Sequence, residues 1–380
     1  MGRSGSDGEN DHCSLARGED RWKTVTVSRY IAGVTSITDL SATPVEYAGA
    51  EDLIEDYFDR GWTDGLPVVP PTPEKVMHFL AIAGLDSSAV LGEVATREVT
   101  VTAEHAAINA VMAGCRPEYF PVVVAAVRAH LSEMGNCHST TATLSGAVQI
   151  VIVNGPVRHQ IGIACESGCF GPGFRANATI GRALRLVIRN ACRAVPGVID
   201  RASFSSPMRY SFCFGENEEA GNWAPMHVER GFAAHESAVT VHSSMVVIPA
   251  TDFTSRTPEG VSETIILTMR RRGLIGDRWL GDRHNLVMVV GPEHQRYYLE
   301  AGWSKDDLRA YLWPRLTAPT TTEHDRAVNI GRPDGLLIVA AGGPGMAETW
   351  LLVPHLALAV TEKIVPGSDR DSPPAGTIPP

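Results

Sequence analysis

An α/β fold, with a mixed, partly parallel sheet layered with helices, is what three features of this sequence predict. Short apolar runs of strand length recur at 147–153, 210–214, 238–242, 286–290 and 336–341. Amphipathic segments of helical period lie among them, as at 117–134, where Phe120, Val123, Val124, Val127 and Leu131 share one face. Gly-Pro-Gly loops stand where strands should end, at Gly171-Pro172-Gly173 and Gly343-Pro344-Gly345. Strands alternating with helices pack in layers, and ligands in such sheets gather outside the carboxyl ends of the strands.

Taken in order, residues 1–48 are rich in Gly, Ser, Asp and Glu and read as a disordered N-terminal extension, with one short strand candidate at 24–27. The core, catalytic or substrate-binding, is predicted over 49–360, as one body or two lobes. It opens with a helix at 51–60, a turn Gly61-Trp62-Thr63-Asp64-Gly65-Leu66-Pro67, and a second helix with Thr72 as cap and Pro73 in the first turn. Helices follow at 103–113 and 117–134, and then a polar run, Asn136-Cys137-His138-Ser139-Thr140-Thr141, that suits a turn or a ligand site. After the strand at 147–153 come a glycine loop and a helix ending near Asn190. The second half continues with strands at 210–214 and 238–242, extended or paired by 246–248, and with helices at 258–271, 293–301 and 304–311. Ser304 and Asp307 form the capping pattern of the last. Residues 361–380 end in a proline-rich tail.

Composition removes several classes of function. A formal charge of −10 argues against general nucleic-acid binding, which needs a basic surface. No apolar run approaches the roughly 18 residues that span a bilayer, so a soluble, cytoplasmic protein is expected. Seven cysteines, an odd number spread through a long chain, do not form a secreted disulfide framework. Cys165 and Cys169 are spaced C-x3-C without a second Cys or His pair, so no metal site is expected. Walker, dinucleotide-fingerprint, zinc-protease and nucleophile-elbow motifs are absent from the sequence, which leaves the cofactor unknown.

The stretch 165–190 organises the candidate site. Gly168, Gly171 and Gly173 let a ligand approach the main chain, and the helix that follows offers unpaired N–H groups to an anion. Arg175 in its first turn opposes the helix dipole, so it is expected in solvent or facing a bound anion. Asn177 and Arg182 lie on the same helix, and Gly343 and Gly345 on the second loop, which is expected to share the cleft. The alternative is a tight turn before a helix with a solvated basic face. His227 with Glu229 offers a general base and its orienter, and Arg230 an oxyanion clamp, or else all three form a structural ion-pair group. Cys169, before a helix start where a thiol pKa should fall, is the best nucleophile among the cysteines. His227, Glu229, Arg230 and Arg182 are expected to converge on the start of the helix after Gly173.

Several phrases together carry a resemblance: GWTDGLPVVPPT at 61–72, INAVMAGCRPEYFPVV at 108–123, NGP at 154–156, GPGFRANATIGRALRL at 171–186, HVERGF at 227–232, GWSKDDLRAYL at 302–312 and AGGPG at 341–345. Over 51–350 the chain resembles a bacterial family often encoded beside small Cys/Sec-Gly-Ser-Cys proteins, the UGSC family. Those neighbours are similar to the thiol- or selenol-bearing subunits of glycine and proline reductases. The resemblance implies a two-component enzyme in which a UGSC-type partner brings a reactive thiol and this chain holds a small anionic substrate, for a bond-cleaving, thiol-transfer or reductive step. It departs from the family at Cys169, where relatives carry a small residue, and around His138. A non-catalytic substrate-binding subunit and a self-sufficient cysteine-dependent hydrolase or lyase remain as alternatives, and an oligomer is compatible with each.

Overall fold

Strands of valine, isoleucine and leucine form where the sequence concentrates them. The computed structural model describes residues 39–272, 285–319, 327–328, 330–365 and 367. Helices α1 (Ala50–Asp59) and α2 (Pro73–Ala83) precede a hairpin of β1 (Val90–Val94) and β2 (Val99–Thr102). Then come α3 (Ala103–Ala113), α4 (Phe120–Leu131), α5 (Cys137–Thr141), β3 (Val148–Asn154), α6 (Val157–Ile161), α7 (Arg175–Asn190), β4 (Cys213–Gly215), α8 (Met226–Glu229) and β5 (Ala238–Thr251). The remainder is α9 (Pro258–Arg272), β6 (Leu286–Val290), α10 (Pro292–Glu300), α11 (Lys305–Thr317), β7 (Leu336–Ala340), β8 (Glu348–Pro354) and β9 (Val360–Lys363).

The main sheet runs β4-β3-β5-β8-β6-β7, with β9 also on β5. Two pairs are parallel, β3 with β4 and β6 with β7; the others are antiparallel. Read from its other end, the order is unchanged if β3, β4 and β5 exchange with β6, β7 and β8. The second half thus repeats the topology of the first. A trace of the repeat stands in the sequence, because β3 and β6 both run into Gly-Pro, at Gly155-Pro156 and Gly291-Pro292. Each glycine passes close beneath a neighbouring backbone. A Cβ on Gly155 would stand 2.2 Å from the Glu236 carbonyl, and one on Gly291 2.7 Å from that of Glu348. Gly155 also has φ +83, which a side chain would strain.

Alternation along the strands divides the core into three. Ile150, Ile152, Val287, Val289, Leu337, Val339 and Leu352 share an inner face with Phe212, Phe214 and Met226. Val151, Val153, Val239 and Val241 face the α2, α3, α4 and α7 layer, whereas Met288, Val290, Ile338 and Leu351 face α9, α10 and α11. The sheet curls over its inner face until the ends of β4 and β7 meet, the Asn217 N–H donating to the Ala340 carbonyl at 2.7 Å.

Some elements differ from expectation. Of the two alternatives for 246–248, extension holds: β5 runs unbroken from Ala238 to Thr251, because Ser243 and Ser244 pair with β3 and Ser244 and Val246 with β8. The hairpin β1–β2, the short helix α5 and strands β8 and β9 had no sufficient signal: β1 and β9 are short and partly exposed, and β8 ends on a proline inside a longer apolar run. The core also crosses both expected boundaries. The buried Glu104 carboxylate accepts from the Ser41 and Ala42 N–H groups at 2.9–3.0 Å, which fixes part of the 39–48 segment. At the other end β9 pairs with β5 and Ile364 is buried. The strand candidate at 24–27 lies outside the described residues, as does most of the tail.

His242 sits wholly inside the sheet, its Nε2 bonded to the Leu352 carbonyl at 2.9 Å and its Nδ1 unpaired. Burial holds its pKa down from 6.5 to about 4. Between those values the unfolded chain binds a proton that the native ring refuses, so stability rises with pH across this window and is lost as pH falls through it, by up to about 3 kcal/mol. Urea unfolding from pH 4 to 7 should therefore show a shallower acid limb in His242→Gln, which keeps a donor for the Leu352 carbonyl. An identical limb in both proteins contradicts this.

Candidate functional site

Where the ends of β3, β4 and β7 come together, the fold buries charge. The segment after β4, Gly215-Glu216-Asn217-Glu218-Glu219, crosses from one half of the sheet to the other. Glu216 is 2% exposed, and its carboxylate accepts from Asn154 Nδ2 at 2.6 Å, Met226 N at 2.7 Å and Lys305 Nζ at 3.3 Å. Glu218 accepts from Gly155 N at 2.7 Å and Asn154 Nδ2 at 3.0 Å. Arg158, equally buried, donates to the Glu216 carbonyl at 2.7 Å and forks onto Glu219 at 2.9 and 3.1 Å. That fork, helped by His159, holds Glu219 down to about 2.

Lys305, the first residue of α11, is 4% exposed and lies between two carboxylates, Glu216 and Glu229, the latter at 3.2 Å. Glu229 also accepts from Arg309 Nη1 at 2.8 Å. The ammonium thus spends two of its three N–H donors on protein. It borders a cavity of about 220 Å³ whose lining includes Asn222, Trp223, Glu229, Trp303, Lys305 and Asp306. The walls are preformed. Trp223 Nε1 donates to the Trp303 carbonyl at 3.0 Å, and the rings of Trp223, Tyr298, Trp303 and Tyr311 follow one another at 5.4–6.0 Å. Taking charges out of water costs several kcal/mol per ion, and a buried pair repays that only with good geometry. Such a concentration beside a cavity is the arrangement of a functional site, where perturbed and paired ionisable groups cluster.

Of the residues singled out in the sequence, His227 and Glu229 belong to this network. His227 is fully buried with its Nδ1 3.8 Å from Glu218 and neither ring nitrogen hydrogen-bonded. Arg230 turns away. It donates to Thr361 Oγ1 at 2.6 Å and the Ala359 carbonyl at 3.0 Å, which ties α8 to β9 and leaves no oxyanion clamp. Arg182 grips Asp64 with two bonds of 2.8 Å and the carbonyls of Leu66 and Pro67, so it fastens the 61–67 turn to α7. The expected convergence of His227, Glu229, Arg230 and Arg182 on the start of α7 is therefore replaced by two arginines already satisfied elsewhere. Arg175 is spent on the Gly114 carbonyl, at 3.0 and 3.1 Å. Asn177 is buried and staples the loop, bonding both backbone groups of Ala164 and the Cys169 carbonyl.

The two glycine loops do meet, by direct packing. Gly342 N donates to the Cys165 carbonyl at 2.9 Å, and a Cβ on Gly343 would strike Ser167 Oγ at 1.7 Å. Gly345 N donates to Glu293 at 2.6 Å, while Gly171 closes a turn on Gly168, and Gly173, at φ +116, leads into α7. The loops are thus in backbone contact, and the cavity beside Lys305 is lined by neither of them. Cys169 also differs from expectation. It turns into the inner core against the aromatic cluster, and burial pushes its thiol up to about 11, the opposite of the fall expected at a helix start. Cys165 is only half buried, and its thiol lies beside the Arg158 guanidinium.

Lys305, Glu216, Arg158, Asn154 and the two tryptophans were missed. One signal was available, because a lysine in the first turn of a helix opposes the dipole as Arg175 does, and only Lys305 finds buried carboxylates there. Among the described residues no group of three or more His, Cys, Asp or Glu is placed to hold a metal ion, and no helix is long and apolar enough to cross a membrane. Comparison with known proteins returns no match to a family model, a curated protein or a solved structure.

Lys305→Met leaves the buried Glu216 carboxylate without its cation, Glu229 keeping Arg309, and should cost about 3 kcal/mol or more in denaturant unfolding. Adding Glu216→Gln should restore part of the loss. Strictly additive losses would show that the two groups are not coupled.

Proposed function

We propose that this chain is an enzyme, or the substrate-holding subunit of one, that acts on a small anionic metabolite in the cavity beside Lys305. The observation that carries the reading is Lys305 itself, buried between Glu216 and Glu229 at the cavity wall. A carboxylate or carbonyl on the substrate that accepts from the remaining N–H of Lys305 competes with Glu229 for the ammonium. Glu229, freed from one of its two cations, is placed to take a proton, while Trp223 and Trp303 exclude water from the apolar part of the ligand. Arg309 stays on Glu229 and fixes its position. Glu218 stands one layer behind and shares the Asn154 amide with Glu216, and His227 is buried beside it, away from the substrate.

The chemistry we assign is a bond-cleaving, thiol-transfer or reductive step in the cytoplasm with a UGSC-type protein as the source of the thiol, as the sequence resemblance implies. Burial of Cys169 supports an external thiol over the cysteine-dependent hydrolase reading. A second reading rests on Cys165, whose partly buried thiol, pushed up by burial but set beside the Arg158 guanidinium, would serve as the chain's own nucleophile.

The test is copurification with the neighbouring gene product, followed by metabolite profiling of cell extract incubated with the pair. One small acid should be consumed by the unaltered pair and spared by about a hundredfold in rate with Glu229→Gln. Equal consumption by Glu229→Gln removes the role of this cavity. Loss of activity in Cys165→Ser without any need for the partner establishes the second reading.

A further inference from the structure

Away from that site, two cysteines stand where sulfur chemistry is favoured. Cys137 opens α5 and Cys192 lies two residues beyond α7, both are buried, and their thiols are neighbours. Buried Arg97 clamps the two segments, donating to the Cys192 carbonyl at 2.7 Å, Thr141 Oγ1 at 2.6 Å and the His138 carbonyl at 3.1 Å. Thr141 in turn donates to the Cys137 carbonyl at 2.6 Å. His130, near the end of α4 and 1% exposed, lies against the Cys137 sulfur with neither ring nitrogen in a well-formed hydrogen bond. Keeping an unbonded imidazole in an apolar core is costly unless it serves a neighbour, and the neighbour here is a thiol pair.

We propose that Cys137 and Cys192 form a redox-active dithiol, with Cys137 as the attacking thiolate, Cys192 as the resolving thiol, His130 as the proton carrier and a hydroperoxide as oxidant. The Cys137 sulfur gives an electron pair to one oxygen of hydrogen peroxide, the O–O bond breaks, and the departing hydroxide takes a proton through His130 and leaves as water. Cys137 is then a sulfenic acid. The Cys192 sulfur attacks it, the S–O bond breaks, and the thiol proton leaves with the hydroxide as a second water. The two sulfurs lose two electrons in forming the disulfide, and one peroxide becomes two waters.

The surroundings divide the roles as the chemistry needs. The hydrogen bond from Cys192, aided by His130 and Arg97, holds the Cys137 thiol well below its ordinary value, and the same bond raises Cys192. In Cys115, whose thiol donates to the Thr179 carbonyl at 3.3 Å, burial outweighs every partner and pushes the thiol up to about 12. Peroxide is close to water in size, so it can reach a core that larger disulfides cannot.

The experiment treats the full-length protein with hydrogen peroxide and maps a non-reduced digest by mass spectrometry. A linked pair of peptides carrying Cys137 and Cys192 should form before Cys115 or Cys213 reacts, and dithiothreitol should undo it. In Cys192→Ser, unfolded in dimedone directly after peroxide, Cys137 should be labelled; in Cys137→Ser treated alike, Cys192 should stay unlabelled; and His130→Gln should slow oxidation by at least about tenfold. Absence of the link in the unaltered chain, or oxidation of Cys137 no faster than Cys115, overturns the proposal whether or not any variant folds.

Discussion

One buried carboxylate, Glu216, holds the two halves of this molecule in register. Its three donors come from three places: Asn154 at the end of β3, the backbone of Met226 at the start of α8, and Lys305 at the start of α11. The first two belong to the first half of the sheet and the third to the second. The curl of the sheet brings the ends of β4 and β7 together through Asn217 and Ala340, and Glu216 stands one residue away. A neutral side chain could satisfy part of this set but not the ammonium, so the anion and the closure of the sheet depend on each other.

The same constraint explains why the candidate site lies beside Lys305 and not over the glycine loops. Backbone approaches at Gly155, Gly291 and Gly343 draw the loops tightly together and leave little room among them. Charged side chains cannot pack so closely without solvent or partners, and the large rings of Trp223 and Trp303 keep their end of the network open. The cavity forms where packing is governed by long side chains.

Burial also sorts the cysteines. In Cys115, Cys169 and Cys213 the loss of water dominates and the thiol is held neutral. Cys165 feels burial against the Arg158 guanidinium, and Cys137 alone among these has its shift set by hydrogen bonding that favours the thiolate. Six described cysteines are all free, yet their chemistry differs because their neighbours do.

The sequence by itself determined the fold class, because a period of two or near 3.6 in apolar residues is a local property that decides which backbone can bury them. It located β3, β6 and β7 to within a residue or so and marked His227-Val228-Glu229-Arg230 as chemically dense. It also held the Gly-Pro repeat after β3 and β6, visible once the strand order is known. Only the tertiary structure decided which dense residues meet. Arg182 and Arg230 read as ligand clamps until Asp64, Thr361 and carbonyls from distant segments claim them. Lys305 reads as a surface residue at a helix start until the curl of the sheet sets Glu216 against it, 89 positions away. A carboxylate in water and a carboxylate inside the protein are the same letter; the difference between them is made by partners far along the chain, which no local pattern encodes.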